Sequence, residues 1–538
     1  MGAAVTEDPI TMEICRHLLI SVAEEMGLVM KRVAVSPMIR EREDRSCAIF
    51  SADAALAAQA EHLPIHLALL ITAVPRALDS LDRPLVRGDV LLFNDPYLGG
   101  SHLPDMVMIA PAFGDNERLI GYAASVAHMT DVGGREPAVG GGATVTSILD
   151  EGLRLPPVRL YCGGELNVDI LNLLTANVRR GDVLSGDLLA QSAAMRSGVA
   201  GLVNVARRFG TNETISLMNG LIDYTERLTR TEIAKLPHGI AEASEFIDAD
   251  PHSQPIEVRV RVAIQGDGIL VDFAGSSAQR PLPVNVPLSV TRSAVYYVVR
   301  CLLDASIPTT AGCFRPVTVV TQPSTITHAT SPAPVAGGSL ITSQVIVDTI
   351  FRAVAQIAPE KAAAAGMGSH NTIGFGGVTD DGQEFVISES IGGGAGATAF
   401  TDGLDASRVN LMNSPNIPIE VLENEYPLRV RQYGIRRGTG GPGAQRGGDG
   451  TIRCYEFLYD TTVSILSNRA QFPARGLNGG ATGAATDHLL IRADGRSEPV
   501  SSRATLTVKR GDQVIIRTAA GGGYGEPAKA ASGSMENS

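Results

Sequence analysis

Apolar positions along this chain first recur at helical spacing, later alternate, and finally break into short runs between glycines. Ile10, Ile14, Leu18, Val22, Met26, Val29 and Val33 predict an amphipathic helix of about 25 residues. Asp8-Pro9 supplies its start, with Asp as N-cap and Pro in the first turn. "SCAIFSADAALAAQ" predicts a strand and turn, and "HLPIHLALLITAVPRAL" a helix entered through Pro64. "GDVLLFNDPY" and "LIGYAASVAHMTD" predict buried strands whose C-terminal ends carry polar residues, a common setting for a site.

Helical spacing dominates "DVLSGDLLAQSAAMRSGVAGLVNVARRFG", which Gly210 ends, and "NETISLMNGLIDYTERLTRTEIAKL". From Pro255 the residues of "IEVRVRVAIQGDGILVDFAGSS" alternate around a Gly-Asp-Gly turn, which predicts a hairpin. Helices are expected at "SAVYYVVRCLLD" and over Ser343 to Glu360, on either side of a Pro-rich passage ending near Gly338. Beyond Gly366, "IGGGAGA", "RRGTGGPGAQRGGDG" and "AAGGGYGEP" alternate with strand-like "TTVSILS" and "DQVIIRT". Glycine that dense between β-type runs predicts tight turns and close backbone approach. The expectation is an α+β protein of several interlocked units. These are an N-terminal α/β region at 1–168, a helical region at 169–248, a mixed α/β region at 249–365, a Gly-rich, largely β region at 366–527, and a disordered tail at 528–538.

Length and composition fit that division. A chain of 538 residues suits two to four units, and 44% apolar with 19% charged residues describes a globular protein. A formal net charge of -12 and the lack of a basic cluster argue against nucleic acid as partner. Six scattered cysteines with no CxxC pair argue against a zinc ribbon and point to reduced thiols in a cytoplasmic setting. The start "MGAAVTEDPITME" has no signal-peptide pattern, and no run is apolar enough to suggest a membrane span.

The candidate chemistry gathers near the N-terminus. "NDPYLGGSHLPD" sets His102 and Asp105 three apart after Gly99-Gly100, where a sharp turn can aim both at one point. "AHMTDVGG" repeats the spacing with His128 and Asp131. Histidine with aspartate suits a borderline divalent cation, although a self-solvating loop uses the same residues. In "RERED", Glu41, Glu43 and Asp44 read as a solvated charge run or as the source of one more carboxylate ligand at a strand mouth. His62 and His66 in "EHLPIH" lack the Glu of a zincin and are expected to pack or cap a helix. "GGGAGA" has no following Lys-Ser/Thr, so no phosphate loop for ATP is read, and no GxSxG elbow occurs.

Taken together, "REREDRSCAIF", "NDPYLGGSHLPD", "AHMTDVGG", "DEGLRLPPVRLY", "SPNIPIEVLENEYPLRVRQYGIRRGTGGPGAQRGGDG" and "AAGGGYGEP" resemble the hydantoinase B/oxoprolinase family from about Asp8 to Pro527. The resemblance implies a divalent metal (Mn, Zn or Fe) held by Asp44, His102, Asp105 and His128. Asp131 is implied to lie behind these ligands or to accept a proton. It further implies an A-type partner subunit that binds ATP, in an α2β2 or larger heteromer, and a small cyclic amide as substrate. On this expectation the chain is the hydrolytic subunit of an ATP-dependent cyclic amidase. The alternatives are a subunit of an ATP-dependent ketone carboxylase and a non-catalytic scaffold.

Overall fold

The computed structural model describes residues 8–60, 62–138, 143–249 and 254–527; the tail expected at 528–538 lies outside them. The N-terminal sheet contains β1 (Arg45–Ser51), β2 (Leu56–Gln59), β3 (Val90–Phe93), β4 (Asp105–Phe113), β5 (Leu119–His128), β6 (Val158–Cys162) and β7 (Glu165–Leu166). Their order is β2-β1-β5-β4-β3-β6-β7, with every pairing antiparallel. All of β1 is buried because both faces are covered. Cys47 and Ile49 pack in the cluster that holds the first helix, while Ala48 and Phe50 pack with the helix Leu69–Asp79.

The first helix spans Pro9–Val33, and the Asp8 carboxylate accepts from the amides of Ile10 and Thr11 as its sequence predicts. Its buried face differs from the expected stripe. Leu19, Ala23, Met26, Gly27 and Met30 face inward, while Ile10 and Val33 are exposed. The cause is close packing against the helix Gly181–Phe209. A Cβ on Gly201 would lie 2.7 Å from Val22, and one on Gly198 would lie 2.4 Å from Met26 Sδ. Small residues make this contact, and they are nearly silent in a hydrophobic pattern.

The helices Val168–Ala176, Gly181–Phe209 and Thr211–Ile233 occupy the stretch expected to be helical. The second of them lies across the N-terminal sheet, where Gln191 Nε2 donates to the Met106 carbonyl at 2.9 Å. That stretch does not stay helical to its expected end, because β8 (Gly239–Ile247) is a strand. It pairs with β9 (Ile256–Gln265), which turns through Gly266 (φ 59) into β10 (Gly268–Asp272), and β11 (Val317–Val320) closes a four-stranded sheet. The helices Leu288–Leu302 and Thr342–Val354 pack on it.

The C-terminal region carries two further sheets. One orders β12 (Thr372–Val378), β13 (Glu384–Ser390), β16 (Thr461–Leu466) and β19 (Arg503–Val508) as β13-β12-β16-β19. The other orders β14 (Leu428–Arg436), β15 (Gly450–Phe457), β17 (His488–Ile491), β18 (Ser497–Val500) and β20 (Gln513–Arg517) as β14-β15-β20-β17-β18. The glycine-rich segments pack main chain on main chain. Gly448 donates to the Ala395 carbonyl at 2.8 Å and Gly521 to the Gly448 carbonyl at 2.9 Å. A Cβ on Gly521 would lie 1.8 Å from the Ala395 oxygen, so no other residue fits there. Among the described residues no helix is long and apolar enough to cross a membrane.

Glu151, which ends the short helix Ile148–Glu151 between β5 and β6, ties this connection to the middle of the chain. Only 1% exposed, its Oε1 accepts from the amides of Val335 and Ala336 at 2.6 and 2.8 Å, and its Oε2 has no partner. Burial pushes its carboxyl up from the usual 4.5 to about 8, against the pull of those two amides. A carboxyl raised in the folded state takes up a proton on folding. Its stabilising contribution is therefore full below about pH 4.5 and is lost as pH rises through about 8. Glu151→Gln keeps the acceptor and removes the titration. Urea midpoints of the wild type should therefore fall relative to this variant between those limits, and parallel curves would contradict the assignment.

Candidate metal centre

Strand register builds the site. Asp105 opens β4 and pairs with His128, the last residue of β5, while Arg45 of β1 pairs with Ala127. The His128 amide donates to the Asp44 carbonyl at 3.0 Å, so Asp44, His128 and Asp105 come from the same end of three adjacent strands. Glu43, with φ 53, turns the chain sharply just before Asp44. His102 arrives on the loop between β3 and β4. Buried Asn94 fixes this loop by donating to Leu103 O at 2.7 Å and Leu153 O at 2.9 Å. At Gly99 (φ 136) a Cβ would lie 2.7 Å from the Ala73 Cα, so the loop lies flat on the helix Leu69–Asp79 only as glycine.

Asp105 is the meeting point. Its Oδ1 lies 2.9 Å from His128 Nδ1, and its Oδ2 lies 3.0 Å from His102 Nδ1 and 3.6 Å from His66 Nε2. Ser101 Oγ donates to the same Oδ2. Burial alone would push the Asp105 carboxyl up, but the His102 charge and hydrogen bonds from His102, His128 and His66 hold it well below the usual carboxylate range. Donor atoms from His102, Asp105 and His128 lie within 4.8 Å of one another, as do those of Asp44, His66 and Asp105. Bonds of 2.0–2.2 Å at right angles span ligand edges of roughly 3 Å, close to the separations on Asp105. The His102 and His128 rings lie 4.9 Å apart, and His102 Nε2 is buried without a partner. These residues suit a divalent ion.

The structure thus brings together Asp44, His102, Asp105 and His128, and it adds His66, His370 and Arg42. His66 does not cap a helix. It ends the short 3-10 turn Pro64–His66, with Nδ1 2.9 Å from Ser46 Oγ and Nε2 toward Asp105. His370, only 3% exposed, comes from the C-terminal region and faces the same cavity with its Nε2 unpartnered. Burial, then the charges of Arg408, Arg42 and His102, hold His370 well below the usual imidazole range. Arg42 also lines the cavity and donates to Ser390 Oγ at 3.1 Å and to the Ser388 carbonyl at 3.3 Å. A "GSHN" turn leading into a strand was the available signal for His370.

Asp131 is placed differently. Its carboxylate accepts from Arg179 Nη1 at 2.7 Å and from the amides of Arg179 and Gly133 at 3.0 and 3.1 Å. It stands among these donors, not among the residues lining the cavity. Its visible work is to fix the loop that leaves β5 just after His128.

Residues 8–527 match the family model Hydantoinase B/oxoprolinase. An uncharacterised protein of Methanocaldococcus jannaschii is 37% identical, with 97% of this chain and 91% of that one covered. The B-type component of a putative D-/L-hydantoinase from a Pseudomonas species is 30% identical over 97% of this chain and 90% of its own length. The chain spans only 40% of the 5-oxoprolinase of Dictyostelium discoideum, to which it is 30% identical over 96% of its own length. Among solved structures, the ATP-dependent caprolactamase of Pseudomonas jessenii matches with TM-score 0.89 and 28% identity, covering 97% of this chain and 92% of that one. Acetone carboxylase matches with TM-score 0.90 at 17% identity, covering 97% of this chain and 76% of that one, which shows a shared fold. The chain belongs to the hydantoinase B/oxoprolinase family.

Proposed function

We propose that this chain is the hydrolytic subunit of an ATP-dependent cyclic amidase. It would act on a small cyclic amide that an A-type partner has activated by phosphorylation with ATP. The observation that carries the reading is the buried Asp44, His66, His102, Asp105 and His128 cluster, in a chain similar to an ATP-dependent caprolactamase and to a component of a putative hydantoinase. Amide resonance makes the ring carbonyl a poor electrophile, and phosphorylation of its oxygen removes that protection. A divalent ion bound by Asp44, His102, Asp105 and His128 would supply Lewis acidity and lower the pKa of a water.

The protein groups have separable tasks. Asp105 gathers the His102 and His128 imidazoles at their Nδ1 atoms, and Ser46 holds the rotation of the His66 ring. His370 lines the cavity with its Nε2 unpartnered, available for a hydrogen bond to a bound substrate. Asp131 is assigned to the loop after His128, which it clamps through Arg179.

His102→Ala and His128→Ala should each abolish bound metal, measured by elemental analysis of the folded variant, and cyclic-amide-stimulated ADP release by the reconstituted complex. Retention of both would leave a scaffold role. If a ketone with bicarbonate stimulates ATP turnover and no cyclic amide does, the chain is a carboxylase subunit instead. Asp131→Ala strands Arg179 and two amides, which should cost about 1–3 kcal/mol of stability. The loss should be the same with and without metal in denaturant titrations. A variant of wild-type stability that is specifically inactive would return Asp131 to the role of proton acceptor.

A further inference from the structure

One wall of the candidate metal cavity, and the layer directly behind it, carry more positive charge than their surroundings balance. Arg42 is only 4% exposed, lines the cavity, and has an Nε without a hydrogen-bond partner. Its nearest carboxylate is Asp44, at 3.5 Å, which also stands in the candidate ligand set. Arg408 is half-buried and is tied to neutral atoms: Asn416 Oδ1 at 2.9 Å and the sulfur of Met412, itself a residue of the cavity wall, at 3.7 Å. Among the described residues no ion pair of 4 Å or less is seen at Arg408. Arg453 stands behind them, pairs with Glu389 at 3.2 Å, and lies 4.7 Å from the Tyr433 ring centroid. Tyr455 also donates to Glu389, at 2.6 Å.

The charges can be counted. Asp44 and Asp105 match a divalent ion, and Glu389 matches Arg453. Arg408 then remains with no anion of its own, and Arg42 has only a share in Asp44, its partner at 3.5 Å. Burial, and after it the Arg42 charge, pull the Arg408 guanidinium down to about 9, the direction expected of a cation short of counter-charge. Uncompensated buried charge is costly, and a protein keeps it where a ligand completes it. Two guanidinium forks suit an oxyanion with several acceptor oxygens, and a phosphoryl group near neutral pH carries close to two negative charges. The free Nε2 of His370 offers one further hydrogen bond on the same wall.

We propose that Arg42 and Arg408, backed by the Arg453–Glu389 pair, form a binding site for a dianionic phosphoryl group beside the metal ligands. On the reading above, this group is either the phosphate carried on the activated amide or the phosphate left after its hydrolysis. The assignment of a reaction rests on that reading; the binding site does not.

The test uses the metal-loaded full-length chain without ATP or cyclic amide, so its result is independent of any turnover assay. Calorimetric titration with phenyl phosphate and with inorganic phosphate should show saturable binding of at least one of them. Binding of the ester alone identifies the carried phosphoryl, and binding of the free anion identifies the released one. Arg408→Gln should weaken binding at least tenfold at unchanged metal content, and Arg408→Lys should restore part of it. Phenylglyoxal labelling mapped by mass spectrometry gives a measurement free of variants, in which the bound anion should protect Arg408. Absence of binding by both probes, unchanged affinity in Arg408→Gln, or labelling of Arg408 indifferent to phosphate would each overturn the proposal.

Discussion

An ionised carboxylate taken out of water is stable only when other groups replace its hydration, and Asp105 is the place where this chain meets that demand. Two imidazoles and a hydroxyl reach its two oxygens, and a third imidazole stands 3.6 Å away. The elements around it can be understood as the means of keeping those groups there. The β4–β5 register fixes His128 opposite Asp105, and Asn94 fixes the loop that carries His102. The first helix and the helix Leu69–Asp79 seal β1 from both sides, so water does not compete from either face. A donor arrangement that satisfies a carboxylate this way can serve a cation by exchanging imidazole protons for the ion, which makes metal affinity fall as acid returns those protons.

The remaining sheets have a reason to be interlocked with the first. The β-ends that carry Asp44, Asp105 and His128 supply only one side of a cavity. Its far side comes from Thr372 of β12 and Ser388 and Ser390 of β13, with His370 immediately before that sheet begins. Arg42 joins the two sides, since it precedes β1 and donates to the Ser388 carbonyl and Ser390 Oγ. The backbone knot at Ala395, Gly448 and Gly521 holds the glycine-rich segments together with few side chains. Main-chain hydrogen bonds supply the rigidity there, and the bulk that would hold the segments apart is absent.

The sequence was most legible where local chemistry decides structure. The Asp8 cap, the Gly266 turn and the strands at "TTVSILS" and "DQVIIRT" were all present in the residue pattern, as were the His102–Asp105 and His128 motifs, while the grouping with Asp44 came from the family resemblance. Less was visible where distant segments decide. The first helix buries a face of small residues that only its partner helix selects. β8 follows two long helices without a break in polarity, and its strand character comes from pairing with β9. His66 looked like a helix-start residue because its sequence neighbours are apolar. Its partners, Ser46 and Asp105, lie twenty and thirty-nine positions away along the chain. His370 lies still farther from the ligands, and nothing local distinguishes it from any histidine in a glycine turn.

The placement of charge adds a constraint of its own. The chain as a whole is acidic, at a formal net charge of -12, yet Arg42, in the wall facing the candidate metal ligands, has only Asp44 as an ion-pair partner, and Arg408, which reaches Met412 of that wall, is held by neutral atoms. An acidic exterior repels a dianion approaching from solvent, whereas the cationic wall favours it once inside. Free phosphate is therefore disfavoured on the way in and retained at the end, a poor arrangement for capture from bulk. The same arrangement suits a phosphoryl group that arrives already attached to a molecule handed over within a complex, because the surface barrier is then crossed by docking and not by diffusion. On the proposed reading, the opposed signs of surface and cavity favour delivery by a partner subunit, with Arg42 and Arg408 as the groups that would recognise what is delivered.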